Sequence, residues 1–230
     1  MEHSLSRAEG VPLRWGDPSL PVRRLEAFLL RPLPVWKRAM DIVGSALALL
    51  LLSPLMLAVA LAVKLTSRGP VIFRQQRAGL GGRPFTFYKF RSMYDGAERL
   101  REGLLDRNEQ TGPVFKMTDD PRVTPVGHFL RRWSLDELPQ FWNVLKGDMS
   151  LVGPRPLPCD ESLASEAWQK RRLTVTPGVT CYWQVSGRAH IFYDDWVRLD
   201  IKYLERRSFL TDVGILLRTP LAVLSRDGAH

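Results

Sequence analysis

Residues 134–158 read SLDELPQFWNVLKGDMSLVGPRPLP and bring an adjacent carboxylate pair, Asp136 and Glu137, close to a Gly147-Asp148 turn and a Pro154-Arg155-Pro156 element. A carboxylate can attack phosphorus as a nucleophile, a second can help hold Mg²⁺, and an arginine fork can grip a phosphate. These residue types suit the handling of a phosphate anion. A structural reading uses the same residues: Ser134 and Glu137 stand at capping-box spacing, which would make Glu137 a reciprocal cap and Asp136 a first-turn residue complementing the helix dipole. Pro139 interrupts a ladder begun at Ser134, so the regular helix is expected to start at Pro139 instead. In the chemical reading the helix start keeps a carboxylate ionised and offers amides to an anion. Adjacent helical residues diverge, so one carboxylate can attack while the other holds the metal.

Cations surround this pair in the sequence. Arg155 sits on backbone stiffened by Pro154 and Pro156, which suits either a presented fork or a surface turn. Arg91 follows in Lys89-Phe90-Arg91-Ser92, and Arg131-Arg132 precede the acidic pair. Together they match what a diphosphate substrate requires. Asp119-Asp120-Pro121-Arg122 reads as a second acidic site or as ordinary turn chemistry. Tyr182, Trp183 and Gln184, before Ser186-Gly187-Arg188, either stack on a base or fill a core, and core is expected.

The elements that must position these groups begin with an uncharged run, Ile42 to Val63, between Asp41 and Lys64. As straight helix it would cover about 33 Å, enough to cross a bilayer. Ser53-Pro54 falls at its midpoint, where Pro54 frees the Leu50 carbonyl and the Ser53 hydroxyl is a local partner for it. Basic residues flank both ends: Arg31, Lys37 and Arg38 before, Lys64, Arg68, Arg74 and Arg77 after. A bent helix returning to the face it came from keeps both flanks on the cytoplasmic side, whereas a kinked span keeps only one; a buried core helix is the third reading. Residues 70–90 predict a β-hairpin around a G-x-G-G turn, which is neither a dinucleotide fingerprint nor a P-loop. Residues 95–107 predict a helix with Asp95 and Glu98 as a capping box. Thr124-Pro125 starts another, whose Val126, Phe129, Leu130 and Trp133 read as a core-facing stripe. Further helices are expected over 194–206 and 209–224, the latter interfacial or docked.

The whole chain has 230 residues, 45% of them hydrophobic, and a net charge of +9. That is one ordinary domain with a local membrane signal and a preference for anionic partners. Cys159 and Cys181 have no metal-ligand spacing and suit a reducing compartment. The four histidines are scattered, so no zinc site is expected. Residues 1–36 are polar and rich in Arg and Pro, unlike a secretory signal, and Trp15, Phe28 and Trp36 could rest on a membrane surface.

Several long segments in fixed order resemble a known family: KRAMDIVGSALALLLLSPLMLAVALAVKL, GPVIFRQQRAGLGGRPFTFYKFRSM, TDDPRVTPVGHFLRRWSLDELPQFWNVLKGDMSLVGPRP and PGVTCYWQVSGR. The chain is similar to the bacterial sugar transferases, the monotopic phosphoglycosyl transferases, over about residues 36–225. The resemblance implies an α+β, mainly helical fold. Residues 1–35 would be a partly disordered or interfacial extension, 36–68 a re-entrant anchor broken at Ser53-Pro54, 69–207 the catalytic domain and 208–230 an interfacial or docking segment. The four-span region of larger members is not found before the anchor, which reads as a minimal catalytic form.

By the same resemblance Asp136 attacks the sugar-bearing phosphate of a UDP-sugar and releases UMP. Undecaprenyl phosphate then attacks the phosphoglycosyl aspartate. Glu137, with Asp136, would help bind Mg²⁺. Arg155 would contact phosphate and nucleotide, with Arg91 as a second contact. Lys37, Arg38 and Asp41 match the start of the anchor, with the basic pair at lipid headgroups. The implied location is the bacterial inner membrane, with the active site facing the cytoplasm. A homodimer is compatible with this, and nucleic acid is not an expected partner. Cys181-Tyr182 departs from the family pattern and bears on the sugar pocket. Two rivals remain: a membrane-associated glycosyltransferase releasing UDP, though no Asp-x-Asp is present, and a basic membrane scaffold without activity.

Overall fold

A computed structural model describes residues 30–186 and 191–225. Its first element is a 32-residue helix, α1 (Val35–Thr66), which continues through Pro54. The Ser53 hydroxyl donates to the Leu50 carbonyl at 2.8 Å, the acceptor that Pro54 leaves without an amide. Lys37, Asp41 and Ser45 near the start and Val59 and Val63 near the end are buried. Between them Leu50, Leu51 and Leu57 are each about 70% exposed. The helix is long and apolar enough to cross a membrane, and 11% of its apolar window is buried. That exposure removes the buried-core reading.

The expected hairpin is present. Strand β1 (Ile72–Ala78) pairs antiparallel with β2 (Pro84–Phe90), from Ile72 opposite Phe90 to Ala78 opposite Pro84. The capping-box helix over 95–107 is not. Gly96 adopts a left-handed φ of 75° and two 3-10 segments follow, with no side-chain cap. Helix α2 (Pro125–Arg132) starts where expected, the Thr124 hydroxyl accepting from the Gly127 amide at 2.9 Å. Of its stripe, Leu130 is buried but Phe129 is 56% exposed, so the core reading holds only in part.

A single 3-10 turn, Leu135–Glu137, leads to α3 (Gln140–Lys146), which Gly147 ends at φ 96°. Then come β3 (Ser150–Val152), α4 (Cys159–Ala164) and β4 (Gly178–Thr180). β3 and β4 form a second, parallel pair that the sequence reading did not anticipate. A Cβ on Gly178 would lie 2.1 Å from the Gly153 amide nitrogen, so the two strand ends meet only because both residues are glycine. Helices α5 (Tyr182–Val185), α6 (Tyr193–Arg206) and α7 (Phe209–Ser225) complete the body.

The main core joins Phe87, Val144, Met149, Val152, Cys181, Tyr203 and Ile215, drawing on both sheets and α3, α6 and α7. Tyr182 and Trp183 pack against it, as expected. Gly187 and Arg188 of the following motif, and Trp15 and Phe28 of the N-terminal segment, lie outside the described residues. The Arg31 amide donates to the Thr174 carbonyl at 2.7 Å, so the last residues of the expected extension already belong to the body. Both cysteines are free and buried. Asp212 and Ile215 of α7 are buried while Leu210 and Leu217 are more than 70% exposed, so α7 docks by one face and presents another.

Candidate active site

The capping box at Ser134 does not form. Ser134 takes φ 53° and ψ 23° and caps nothing with its side chain, and the turn after it aims both carboxylates into the body. Glu137 is instead taken by Arg155, whose Nη2 donates to Oε1 at 2.5 Å. Regular helix begins at Gln140, directly after Pro139, as the proline predicts. Asp136 is 7% exposed. Neither of its side-chain oxygens is hydrogen-bonded among the described residues.

Arg155 is held through the carbonyls around it. The Pro154 carbonyl accepts from the Gly178 amide at 2.9 Å and the Leu157 carbonyl from the Ala78 amide at 2.9 Å. The Arg155 carbonyl accepts from Arg172 Nη2 at 2.6 Å, and the Pro156 carbonyl from Arg77 Nη1 at 2.8 Å. Prolines at 154 and 156 fix φ at two of these four residues, so with four held carbonyls little backbone freedom is left and the guanidinium is presented in one place.

The two carboxylates are pushed apart. Burial, then the charge of Glu137, holds the Asp136 carboxyl above its ordinary value. Burial also works against ionising Glu137, but the charge and hydrogen bond of Arg155 outweigh it and bring that carboxyl down. Two acids in one site with divergent titration have two different chemical roles open to them. Asp136 is the unencumbered one, and Lys89, Arg131 and Arg155 act on it as cations.

The expected residues do not all converge. Arg131 does: its charge acts on Asp136 while its Nε donates to the Ser92 hydroxyl at 2.9 Å. Arg91 does not. Its guanidinium donates to the carbonyls of Arg68 at 2.5 Å and Ser67 at 2.8 Å and to the Ser67 hydroxyl, closing the C-terminal end of α1. Lys37 and Arg38 are not placed for headgroups either. Lys37 is 1% exposed and ion-paired with Asp212. Arg38 donates to the Val144 and Leu145 carbonyls at 2.7 Å each. The second acidic motif is a turn, Asp120 holding the Arg122 amide at 3.0 Å and its guanidinium at 2.7 Å.

Two groups escaped the sequence reading. Lys89 on β2 stands over the Phe73 ring at 5.1 Å, and burial, then the charge of Arg131, brings its ammonium down to about 8. Arg172, 3% exposed, secures Arg155 from behind and pairs with buried Asp200 at 2.7 Å. A lysine between Tyr88 and Phe90 was the available signal for the first. Nothing in the sequence marked the second.

Among the described residues no three metal-binding side chains cluster. Mg²⁺ takes one or two carboxylates and fills its shell with water and substrate phosphates. Asp136 and the free oxygen of Glu137 therefore fit such an ion only when substrate completes its coordination.

A family model described as bacterial sugar transferase matches residues 33–226. The galactosyl transferase CpsE of Streptococcus agalactiae is 48% identical over 195 residues, covering 84% of this chain and 43% of its own. The undecaprenyl-phosphate galactose phosphotransferase of Salmonella typhimurium is 44% identical over 199 residues, covering 84% of this chain and 41% of its own. The exopolysaccharide production protein ExoY of Sinorhizobium fredii is 39% identical over 210 residues, covering 89% of this chain and 93% of its own. The chain thus spans less than half of the first two relatives and nearly all of the third.

Proposed function

The chain belongs to the bacterial sugar transferase family, and we propose that it transfers a sugar 1-phosphate from a UDP-sugar to undecaprenyl phosphate, the step that starts a surface glycan. An Asp136 oxygen attacks the sugar-bearing phosphorus. The bridging oxygen leaves with its electron pair as part of UMP, and the sugar phosphate stays on Asp136 as an acyl phosphate. An oxygen of undecaprenyl phosphate then attacks the same phosphorus, the bond to Asp136 breaks, and the carboxylate is restored. Arg155, Lys89 and Arg131 meet the charge on the non-bridging oxygens, and Glu137 keeps Arg155 in line. When bound, Mg²⁺, held by Glu137 and Asp136, supplies further charge neutralisation on the diphosphate.

The observation that carries this reading is Asp136 itself: a buried carboxylate with no hydrogen bond to tie it among the described residues, beside three cations and a second acid that already has its own partner. Because the donor and the acceptor meet one carboxylate in turn, a water-soluble and a lipid substrate need not be bound together.

The geometry of α1 supports a location at the cytoplasmic face of the membrane. A straight helix would set Arg38 and Val59 about 32 Å apart. Arg38 holds the end of α3, and Val59 shares a cluster with Leu135 and Leu138 just before it. From Leu138 to Leu145 is only about 11 Å. Two ends resting on one body favour a helix bent at Ser53-Pro54 that dips into the cytoplasmic leaflet and returns.

The test is UMP release from a panel of UDP-sugars with undecaprenyl phosphate, with and without Mg²⁺. UDP-galactose comes first, since two relatives carry galactose in their names. Asp136→Asn is expected to lower turnover by at least about 10³-fold with vesicle binding unchanged. Release of UDP, or an amide variant that still turns over, would overturn the proposal.

A further inference from the structure

Besides the Lys37–Asp212 pair, the apolar helix makes polar contacts with elements that carry the site. At the C-terminal end of α3, the two nitrogens of the Arg38 fork meet the Val144 and Leu145 carbonyls at 2.7 Å each, where a helix end lacks amide donors and favours a cation. Gly147, which ends α3 in the left-handed region at φ 96°, lies against that guanidinium, where a Cβ would be in ordinary contact 3.4 Å from Nη2. One turn along α1, Asp41 Oδ1 accepts from the Leu151 amide at 2.8 Å and the Ser150 hydroxyl at 2.9 Å. Gly44 lets the helix lie against β3, as a Cβ there would stand 2.7 Å from Leu151 Cδ1. At the far end Val59 and Val63 share a cluster with Leu135 and Leu138, which flank the acidic pair.

We propose that Arg38 and Asp41 are positioning residues, through which the seated apolar helix sets the geometry of Asp136, Glu137 and Arg155. Each acts through a short rigid path. Arg38 fixes the end of a two-turn helix that begins at Gln140, with two residues between it and the acidic pair. Asp41 fixes β3, which runs through Gly153 into Pro154 and Arg155. Both side chains are drawn into the body instead of facing lipid. Arg38 leaves no nitrogen of its fork's outer pair unbonded, and Asp41 is fully buried. The anchor is thereby part of the active site's framework as well as a tether. An error of about 1 Å at a reacting group can cost about 10²-fold in rate.

This inference rests on the proposed function, and the experiment separates the two. Full-length chain in lipid nanodiscs is mixed with labelled UDP-sugar in the absence of undecaprenyl phosphate, and the amount and rate of label bound to Asp136 are followed. For Arg38→Gln and Asp41→Ala the expected result is an unchanged amount bound at a rate about 10- to 100-fold lower. Arg38→Lys, which can reach one carbonyl, and Asp41→Asn, which can still accept from the Leu151 amide, should recover part of it. Flotation on vesicles should be unaltered. A variant that loses amount while its remaining fraction reacts at the wild-type rate would show a purely structural role and overturn the inference. So would variants with unchanged rate. A wild-type chain that binds no label would overturn the proposed function itself.

Discussion

Replacing Arg155 by Gln should separate the two acids' roles. Arg155 and Glu137 meet at 2.5 Å with both side chains 23% exposed, so the contact is largely shielded from water. In the proposed transition state the same guanidinium meets phosphoryl oxygens, where loss of one such donor costs about 3–4 kcal/mol, or about 10²–10³ in kcat. A second effect concerns pH. Burial raises the Glu137 carboxyl, and Arg155, with smaller help from Lys89 and Arg77, outweighs it and holds the carboxyl below its ordinary value. Arg155 also acts on Asp136, so without it both carboxyls rise and protonate at higher pH, and the acid limb of the rate profile moves up. The stability sign agrees. A lowered carboxyl stabilises the fold above its unfolded value and loses that contribution as pH falls through the folded one. The thermal-stability gap between wild type and variant should therefore close in acid. Steady-state UMP release and thermal melts across pH would measure both. A variant with wild-type kcat and an unmoved acid limb would refute the assignment of Arg155 to the phosphate.

Lys89→Gln should slow UMP release by about 10²-fold. Since Lys89 loses its proton as pH rises through about 8, the wild-type rate should fall on that alkaline side and Lys89→Arg should extend the plateau upward. Arg91→Ala should lower the melting temperature by leaving the Ser67 and Arg68 carbonyls without donors, at about 1–3 kcal/mol per group, while KM for the UDP-sugar in the folded fraction stays put. A raised KM without loss of stability would return Arg91 to the phosphate. Cysteines introduced as Val35→Cys and Thr66→Cys, at the two ends of α1, should both react with an impermeant maleimide from the cytoplasmic side. Labelling of one from each side would mean the helix crosses.

Much of this site was legible in the chain because local chemistry dictated it. Pro139 set the start of α3, Thr124-Pro125 the start of α2, and Ser53-Pro54 a freed carbonyl with its own repair beside it. The chain could be read less well wherever one motif serves two partners. Ser134 and Glu137 have capping-box spacing, yet Ser134 adopts a left-handed conformation and Glu137 prefers a guanidinium eighteen residues away in sequence. At Asp95 and Glu98 the same spacing fails because Gly96 turns the backbone first.

Asp136, Glu137, Arg155 and the apolar run stand out by residue type and spacing, since the proposed nucleophile, fork and membrane-seeking surface each need a particular side chain. Which arginine serves which partner was a matter for the tertiary structure. Arg91, Arg38 and Arg155 are alike as letters, but one closes the end of α1, one closes the end of α3, and one meets an acid. A guanidinium binds whatever acceptors folding brings within about 3 Å, and that proximity is fixed by the packing of distant elements, not by the neighbours along the chain.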